Sequence, residues 1–272
     1  MIPMAFDYDR PTSVADAVRL LGTHGDGAKI LAGGHSLLPM MKLRLAGPER
    51  LIDISQIPGM TGIRDDGSHI ALGAMTTHRS VAESDLVQAA CPALAETAAG
   101  IGDMQVRNRG TIGGSVVHAD PHADLPALLV ALGGEVVAEG PNGQRTIAAD
   151  DLYTDYLTTS VTPDELVTEV RVPKVREAAY IKFNRRSQDW AIVGVAAALT
   201  DKGARIVLTG VGSTPVRATA AEAAWNGSNA AEAAQQAAEG LNPPSDTSAS
   251  GEYRSHLARV LTRRALEAAA AR

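Results

Sequence analysis

The sequence predicts an α+β protein with two parts, and three observations support this. Helix and strand patterns alternate over the first 60 residues, which favours a small unit with parallel strands. β-Hairpin patterns follow between residues 63 and 147. Beyond a strand that ends at Pro173, three strand-like segments precede three alanine-rich helices. We therefore place a domain boundary after residue 174 and predict a second domain over residues 175–272.

The first part begins with short alternating elements. Ser13 and the apolar spacing of the following residues predict a helix that ends at Gly22. A strand then runs into Gly33 and Gly34, and the next segment lacks β-branched residues, which favours a helix. The predicted elements are a helix over 14–21, a strand over 29–32, a helix over 37–45 and a strand over 50–54.

The middle of the chain combines hairpins and helices with a glycine-rich loop. Residues 100–114 have little periodicity and many Gly, Arg and Asn residues, which predicts a loop. Pro126 is compatible with the first turn of an apolar helix. The predicted elements are a hairpin over 63–72, helices over 81–90, 93–99 and 124–132, and a hairpin formed by 135–138 and 145–147.

In the last third of the chain, strands precede helices. A polar linker over residues 240–250 separates the last two helices. The predicted elements are strands over 178–185, 191–199 and 205–208, and helices over 218–225, 230–239 and 253–271.

Composition argues against several classes of protein. A net charge of −6 is unlike that of a general nucleic-acid binder. No apolar run reaches the roughly 18 residues that span a bilayer, and residues 1–7 do not resemble a secretory signal. The single cysteine, Cys91, excludes an intrachain disulfide and a four-cysteine cluster, and its apolar surroundings predict a buried thiol. We expect a cytoplasmic protein without a membrane span.

Two glycine-centred segments are candidates for binding an anion. Residues 32–36 read Ala-Gly-Gly-His-Ser, and residues 111–115 read Thr-Ile-Gly-Gly-Ser. Because glycine has no Cβ, such turns let backbone N–H groups approach phosphate oxygens, so the pair could hold a diphosphate from two sides. A plain turn is the commoner alternative for either segment alone. Neither matches the P-loop or the Gly-x-Gly-x-x-Gly dinucleotide motif.

Two His and two Asp residues lie between residues 118 and 124. Their spacing does not fit a helical pair of His ligands, and no cysteine is nearby, so we predict no metal site. Two interpretations of Asp124 stay open. Its carboxylate could accept hydrogen bonds from ligand hydroxyls, or it could cap a helix.

A cationic segment with a tryptophan follows the predicted boundary. Lys182, Arg185 and Arg186 are three cations within five residues of an acidic chain, and Trp190 is one of only two tryptophans. An aromatic ring beside cations could cover an aromatic ligand. Spacing alone leaves open whether this segment is a solvated strand end or a surface that faces a ligand or a partner.

Both glycine segments resemble the flavin-binding motifs of the FAD subunits of molybdenum hydroxylases. The run from Val106 to Gly114, followed by residues 119–121 and by Asp124, resembles the same family with high specificity. The likeness extends from Phe6 to the C-terminal helix and covers essentially the whole chain. It is similar to the branch that contains the medium subunits of aerobic carbon monoxide dehydrogenases, and xanthine dehydrogenase carries a similar domain.

The resemblance implies a two-lobed FAD-binding domain of the vanillyl-alcohol-oxidase (PCMH) type, with lobes of about 1–56 and 57–174. It implies that the α+β C-terminal domain of carbon monoxide dehydrogenase flavoproteins follows. By position, the glycine segments would hold the FAD diphosphate. Ser115 stands where the family often has Asn, and it keeps a hydroxyl donor. The FAD-binding residues implied are Ala32, Gly33, Gly34, His35, Ser36, Leu37, Ile101, Thr111, Ile112, Gly113, Gly114, Ser115, Asp124, Leu166, Lys182 and Trp190.

The resemblance also implies an oxidoreductase subunit that transfers electrons. A large partner subunit with a molybdenum cofactor would oxidise the substrate, and a small [2Fe-2S] subunit would pass electrons to FAD and then to an external acceptor. We expect a dimer of heterotrimers, no catalytic side chain in this chain, and a Lys182 that stabilises negative charge on reduced flavin.

Several alternatives stay open after the resemblance. One is a free-standing flavin-dependent oxidoreductase of the same fold, and another is an assembly subunit that has lost flavin. The substrate of the complex could be carbon monoxide, a purine, nicotine or another N-heterocycle. The acceptor could be quinone, NAD or oxygen.

Overall fold

The protein folds around three main β-sheets, a two-stranded ribbon and twelve α-helices within residues 2–272, which the computed structural model describes. The predicted α+β class is confirmed. Residues 1–7 were compared above with a secretory signal. Of these, Met1 lies outside the described residues. No helix among residues 2–272 has both the length and the apolar character needed to cross a membrane.

The strands have the following bounds: β1 (Asp7–Asp9), β2 (Ala28–Leu31), β3 (Arg50–Asp53), β4 (Ile63–Asp66), β5 (His69–Gly73), β6 (Glu135–Gly140), β7 (Gly143–Ala148), β8 (Tyr153–Asp155), β9 (Thr158–Thr159), β10 (Leu166–Pro173), β11 (Ala178–Phe183), β12 (Val193–Thr200), β13 (Gly203–Thr209) and β14 (Val216–Arg217). The α-helices have the following bounds: α1 (Val14–His24), α2 (Leu37–Lys42), α3 (His78–Ala82), α4 (Asp85–Ala90), α5 (Pro92–Ala99), α6 (Met104–Arg109), α7 (Ile112–His118), α8 (Asp124–Leu132), α9 (Ala149–Leu152), α10 (Thr219–Ala224), α11 (Ala230–Gln235) and α12 (Gly251–Ala270).

The first sheet is small and parallel, with strand order β1-β3-β2. The predicted helix between its first two strands is α1. Ser13 caps that helix by accepting a hydrogen bond from the Asp16 amide at 3.1 Å. The apolar stripe of α1 buries Ala17, Val18 and Leu21 in the core. β2 then ends directly before the first glycine segment, so the sheet fixes where that turn begins.

The second sheet is antiparallel and has the order β4-β5-β10-β6-β7. Helices α3 to α8 lie between β5 and β6 in the chain. Two predictions were wrong here. Residues 81–90 do not form one helix, because the Ser84 hydroxyl accepts from the Val87 amide and starts α4. Residues 100–114 are not one loop, because Asp103 caps α6 and Thr111 caps α7.

The third sheet is antiparallel, with the order β11-β12-β13-β14. Side chains alternate across it, as expected for a strand. Ala196 and Ala198 belong to the core shared with the first 175 residues, whereas Val195 and Ala197 face a second core beneath α12. The sheet is thus buried on both faces, and one face packs against α8.

Helix α8 is buried along its whole length and is held at both ends by β13. The Arg205 guanidinium donates to the carbonyl oxygens of Val130 and Ala131 at its C-terminal end, where helix carbonyls lack partners. At the other end, the Thr209 hydroxyl donates to the Pro121 carbonyl at 2.6 Å. These contacts fix the N-terminus of α8, and with it Asp124, relative to β13 and the sheet that contains β11.

Candidate functional site

A cleft of about 970 Å³ lies between the first sheet, the second sheet and β11. Its walls include every predicted FAD-binding residue except one. That residue is Ile112, whose side chain is 1% exposed and packs in the core. The other predicted residues thus border one cleft, and Ile112 lies behind its wall in the core.

The first glycine segment presents unused backbone amides to this cleft. Gly34 has φ +77°, which glycine adopts without strain, and the turn leads from β2 into α2. Within residues 2–272, the amides of Gly33, Gly34, His35, Ser36 and Leu37 donate to no backbone or side-chain acceptor. Consecutive N–H groups in such a turn form a concave site for an anion. The segment thus has the donors that a diphosphate requires.

The second glycine segment differs, because its amides are already engaged. The Ile112 amide donates to the Thr76 carbonyl and the Gly113 amide to the Ala74 carbonyl, both at 2.9 Å. The Gly114 amide donates to the Thr111 hydroxyl at 3.1 Å, and the Ser115 amide donates to the Thr111 carbonyl at 3.0 Å. What this segment presents to a ligand is therefore its glycine surface and the Ser115 hydroxyl.

The two segments meet through Gly33. A Cβ added at Gly33 would lie 2.1 Å from the carbonyl oxygen of Arg109 and 3.0 Å from the Cα of Gly110. Contacts this short require the backbone to move. Glycine at position 33 therefore serves two purposes: it leaves amides accessible, and it lets α6 approach the first turn.

Asp124, the first residue of α8, lines the cleft and is 7% exposed. The interpretation of Asp124 as a helix cap is wrong, since Ala123 occupies the cap position and the carboxylate bonds elsewhere. Its Oδ2 accepts from Lys182 Nζ at 2.8 Å and its Oδ1 from the Tyr180 hydroxyl at 2.7 Å. Burial raises the pKa of the Asp124 carboxyl above its usual value, while Lys182 and Tyr180 lower it.

Lys182 and Arg107 hold the loop that carries Ile101. Lys182 Nζ donates to the Gly100 carbonyl at 3.0 Å, and Arg107 donates to the carbonyls of Ile101 and Gly102 at 3.0 and 3.1 Å. Three consecutive carbonyl oxygens are thus bound by two cationic side chains. This arrangement fixes Ile101 at the cleft wall, where an apolar contact with a ligand was expected.

The segment after β11 forms one open side of the cleft. Trp190 is 73% exposed and lines the cleft together with Gln188 and Asp189. Arg185 turns away and donates to the carbonyls of Thr247 and Ser248. The predicted cationic segment is therefore split, with Lys182 directed inward and Arg185 bound to the loop that precedes α12. Leu166, the first residue of β10, lines the cleft from a buried position.

The cluster at residues 118–124 does not gather metal ligands. Asp120 accepts from the His122 amide at 2.8 Å, and His122 Nδ1 lies 2.8 Å from the Ala191 carbonyl. Among the described residues, no group of three His, Cys, Asp or Glu side chains is arranged to hold a metal ion. Cys91 is buried as predicted, and burial raises the pKa of its thiol to about 11, which keeps it unreactive.

His78 is a cleft residue that the sequence argument missed. Its ring is 4% exposed and packs against Gly110, and its amide donates to the Gly110 carbonyl at 3.0 Å. Burial, together with the nearby His35 and Arg107 charges, lowers the pKa of His78 to about 4. The available signal was Thr77, which caps α3 and makes His78 its first residue.

Comparison with known proteins identifies two family domains that together cover nearly the whole chain. The model for the FAD binding domain in molybdopterin dehydrogenase matches residues 4–175. The model for the CO dehydrogenase flavoprotein C-terminal domain matches residues 178–269.

Full-length relatives agree with these domains. The carbon monoxide dehydrogenase medium chain of Hydrogenophaga pseudoflava is 44% identical over 100% of this chain and 99% of that protein. The nicotine 6-hydroxylase medium subunit of Paenarthrobacter nicotinovorans is 40% identical over 98% of each chain. A solved structure of the Hydrogenophaga enzyme, in a form that lacks the Mo-pyranopterin moiety, superposes with a TM-score of 0.96 at 46% identity, covering 100% of this chain and 99% of that one. The chain therefore belongs to the molybdenum hydroxylase family, as an oxidoreductase subunit with an FAD-binding domain followed by the CO dehydrogenase flavoprotein C-terminal domain.

Proposed function

We propose that the chain binds FAD in the cleft described above and passes electrons from the [2Fe-2S] clusters of a partner subunit to an external acceptor. The observation that carries this proposal is the row of unused amides from Gly33 to Leu37 at the wall of a large cleft. These amides match the diphosphate of a dinucleotide cofactor. The cleft continues from this turn to Lys182 and Trp190, so a cofactor bound at the amides would extend toward both residues.

The residues have separate parts in holding the cofactor. The first glycine segment binds the diphosphate through its backbone, and Ser36 and Ser115 add hydroxyl donors. Asp124 accepts hydrogen bonds on the ribityl or ribose side. Ile101 and Leu166 make apolar contacts with the flavin, and Trp190 covers its open side. The remaining contacts come from Ala32, His35, Gly113 and Gly114, while the buried Thr111 and Ile112 support them.

Bound FAD supplies the redox chemistry, and the chain supplies binding, orientation and electrostatics. Lys182 keeps an ammonium group at the cleft wall, where it favours negative charge on the flavin. The short hydrogen bonds at Asp124 and at the loop 100–102 fix that ammonium relative to Ile101. No side chain of the chain is assigned an acid, base or nucleophilic step.

The proposed complex contains a small [2Fe-2S] subunit and a large molybdenum-cofactor subunit, arranged as a dimer of heterotrimers in the cytoplasm. Two observations support partners of this kind. Relatives that match this chain over nearly their whole length are described as medium chains or medium subunits. The 272 residues contain one cysteine, Cys91, so they cannot ligate a cysteine-bound cluster by themselves. The division into residues 1–174, with its two lobes, and 175–272 is part of this proposal.

The substrate class is proposed from the activities named for two of the full-length relatives. The relatives act in oxidation of carbon monoxide and in hydroxylation of nicotine, at 44% and 40% identity. The difference in sequence identity is small, and the cleft is the proposed binding site of the cofactor rather than of the substrate. We favour a carbon monoxide dehydrogenase-type complex because this relative has both the higher identity and the higher coverage.

Expression of the full chain alone and together with its encoded neighbours tests the proposal. We expect the chain alone to take up FAD with a flavin absorption spectrum, and the co-expressed sample to purify with [2Fe-2S] and molybdenum chains. Dithionite-reduced partner subunits should then reduce the bound flavin. A colourless chain that cannot be reconstituted would contradict FAD binding. A yellow chain that oxidises its own substrate without partners would support a free-standing oxidoreductase instead.

A further inference from the structure

Tyr180 has a buried hydroxyl, and no sequence motif assigns a role to it. The hydroxyl donates to Asp124 Oδ1 at 2.7 Å, while Lys182 Nζ donates to Oδ2 of the same carboxylate at 2.8 Å. Asp124 and Lys182 line the cleft, whereas Tyr180 does not. Tyr180 can therefore act on a ligand in the cleft only through Asp124.

Gly194 on β12 makes this contact sterically possible. Tyr180 and Lys182 are two residues apart on β11, so both side chains leave the same face of the sheet, and Lys182 is paired with Gly194. A Cβ at Gly194 would lie 2.1 Å from the Tyr180 hydroxyl oxygen. The absence of a side chain at position 194 therefore leaves the space through which the hydroxyl reaches the carboxylate.

We infer that Tyr180 is a positioning residue for the flavin site: it keeps Asp124 ionised and in place, so that Asp124 holds the Lys182 ammonium at the cleft wall. The inference rests on the proposed function, because it takes FAD as the ligand of the cleft. A carboxylate this deeply buried favours its neutral form unless donors stabilise the charge. The Tyr180 hydroxyl is one of two such donors, and its removal leaves Lys182 as the other.

The groups around Asp124 make Tyr180 the residue whose substitution best tests the ionisation of this carboxyl. β11 supplies Lys182 and Tyr180, which are the ionisable groups that act on the carboxyl. β12 and β13 pack on the same helix, but near the carboxyl they present Gly194 and Thr209, neither of which titrates. Burial and the Asp124 charge raise the pKa of Tyr180 well above its usual value, so its hydroxyl stays a donor at every working pH.

The test is a titration of the flavin-free full chain with FAD at a series of pH values, followed by flavin fluorescence, in wild type and in Tyr180→Phe. If binding needs the ionised Asp124, affinity falls as pH drops through the pKa of that carboxyl. Removal of a hydrogen bond to the charged form raises this pKa. We expect the pH at which affinity has halved to move upward by about one unit or more in Tyr180→Phe.

Gly194→Ala displaces the same hydroxyl without removing it, and we expect it to shift the midpoint in the same direction. Tyr153→Phe is the matched control, because the Tyr153 hydroxyl is buried without a partner among the described residues. It should leave the midpoint where the wild type has it. The titrating groups of FAD are common to all these proteins, so differences between them report the chain.

The outcomes separate the inference from the proposed function. A wild-type chain that does not bind FAD overturns both. A wild type that binds FAD, with the same midpoint in Tyr180→Phe and Gly194→Ala, overturns the inference alone. Lower thermal stability of Tyr180→Phe with an unchanged midpoint also overturns it, because the hydroxyl would then have a structural role only. A midpoint at higher pH in both Tyr180→Phe and Gly194→Ala, with the midpoint of Tyr153→Phe equal to that of the wild type, supports the inference.

Discussion

The two glycine segments have similar sequences, but they differ in what their backbones do. The first leaves the amides of residues 33–37 without internal acceptors. The second uses the amides of residues 112–115 to bind Thr76, Ala74 and Thr111. In the second segment two amides donate to the carbonyls of Ala74 and Thr76, and a third donates to the Thr111 hydroxyl, which caps α7. Ser36, in the same position before α2, makes no capping bond. A shared Gly-Gly pair thus predicts that another group approaches the backbone closely. It does not predict whether that group is a ligand or another part of the chain.

We therefore propose that the segments divide the work of binding. The first supplies donors for the diphosphate, and the second is a rigid wall that the first packs against. We therefore expect substitutions in the first segment to reduce cofactor affinity and substitutions in the second to reduce the free energy of unfolding.

The largest effect is expected at the contact between the segments. Gly33→Ala places a Cβ 2.1 Å from the Arg109 carbonyl oxygen, so the turn must move away from α6. Overpacking against backbone costs about 3 kcal/mol at the upper end of its range, which corresponds to a loss of FAD affinity of about a hundredfold. Titration of the flavin-free chain with FAD measures this loss.

Gly22→Ala is the matched control for Gly33→Ala. Gly22 lies in α1, and a Cβ there would have no neighbour within 4 Å. We expect this variant to bind FAD like the wild type and to be slightly more stable, since alanine favours a helix. Unchanged affinity in Gly33→Ala would contradict the close contact between the segments.

His78 packs against Gly110, directly before the second segment, and it makes stability depend on pH. Its pKa falls from the ordinary value near 6.5 to about 4 on folding, so the unfolded chain binds more protons between these values. Stability from the neutral ring is therefore present above about pH 6.5 and is lost as pH falls toward 4. Between pH 6.5 and 4.5 the loss is about 2 kcal/mol.

Urea unfolding of wild type and His78→Gln across this pH range checks the prediction. Carboxylates such as Glu165, whose pKa is lowered to about 2 by Arg145, titrate in both proteins and cancel in the difference. We expect the wild type to lose more stability than the variant on acidification. Parallel pH profiles would mean that His78 is protonated in the folded chain.

Much of this site was predictable because its residues carry local signals. The glycine segments, Asp124 and Lys182 stand out by composition, and the structure brings them to one cleft. Tyr180 and Gly194 carry no such signal, since each looks like an ordinary strand residue until β11 and β12 pair. Their roles depend on a contact between side chains that only the tertiary structure defines.

The errors in the fold have a similar physical cause. Residues 100–114 are rich in Gly, Arg and Asn, which masked two helices of six and seven residues. Such short helices depend on their caps rather than on periodicity. Asp103 and Thr111 supplied those caps, and each accepts a hydrogen bond from the amide three residues later. Capping residues were therefore the better signal in this stretch.

Thr111→Val tests whether the second segment is structural. The substitution keeps the shape of the buried side chain and removes the oxygen that accepts from the Gly114 amide. Loss of a cap costs about 1 kcal/mol. We expect urea unfolding to show this decrease, with FAD affinity measured on the folded variant changing by less than about threefold. A larger loss of affinity than of stability would assign Thr111 to the ligand.

Ser36→Ala is the counterpart in the first segment and has the smallest expected effect. The exposed Ser36 hydroxyl makes no hydrogen bond within the described residues, so its removal should leave the free energy of unfolding within about 0.5 kcal/mol of wild type. If the hydroxyl donates to the diphosphate, FAD affinity falls by about fivefold, as expected for one hydrogen bond. The same titration and urea unfolding as for Thr111→Val measure both quantities. A Ser36→Ala variant that lost stability but kept its affinity would place the hydroxyl in the fold and would remove the distinction between the two segments.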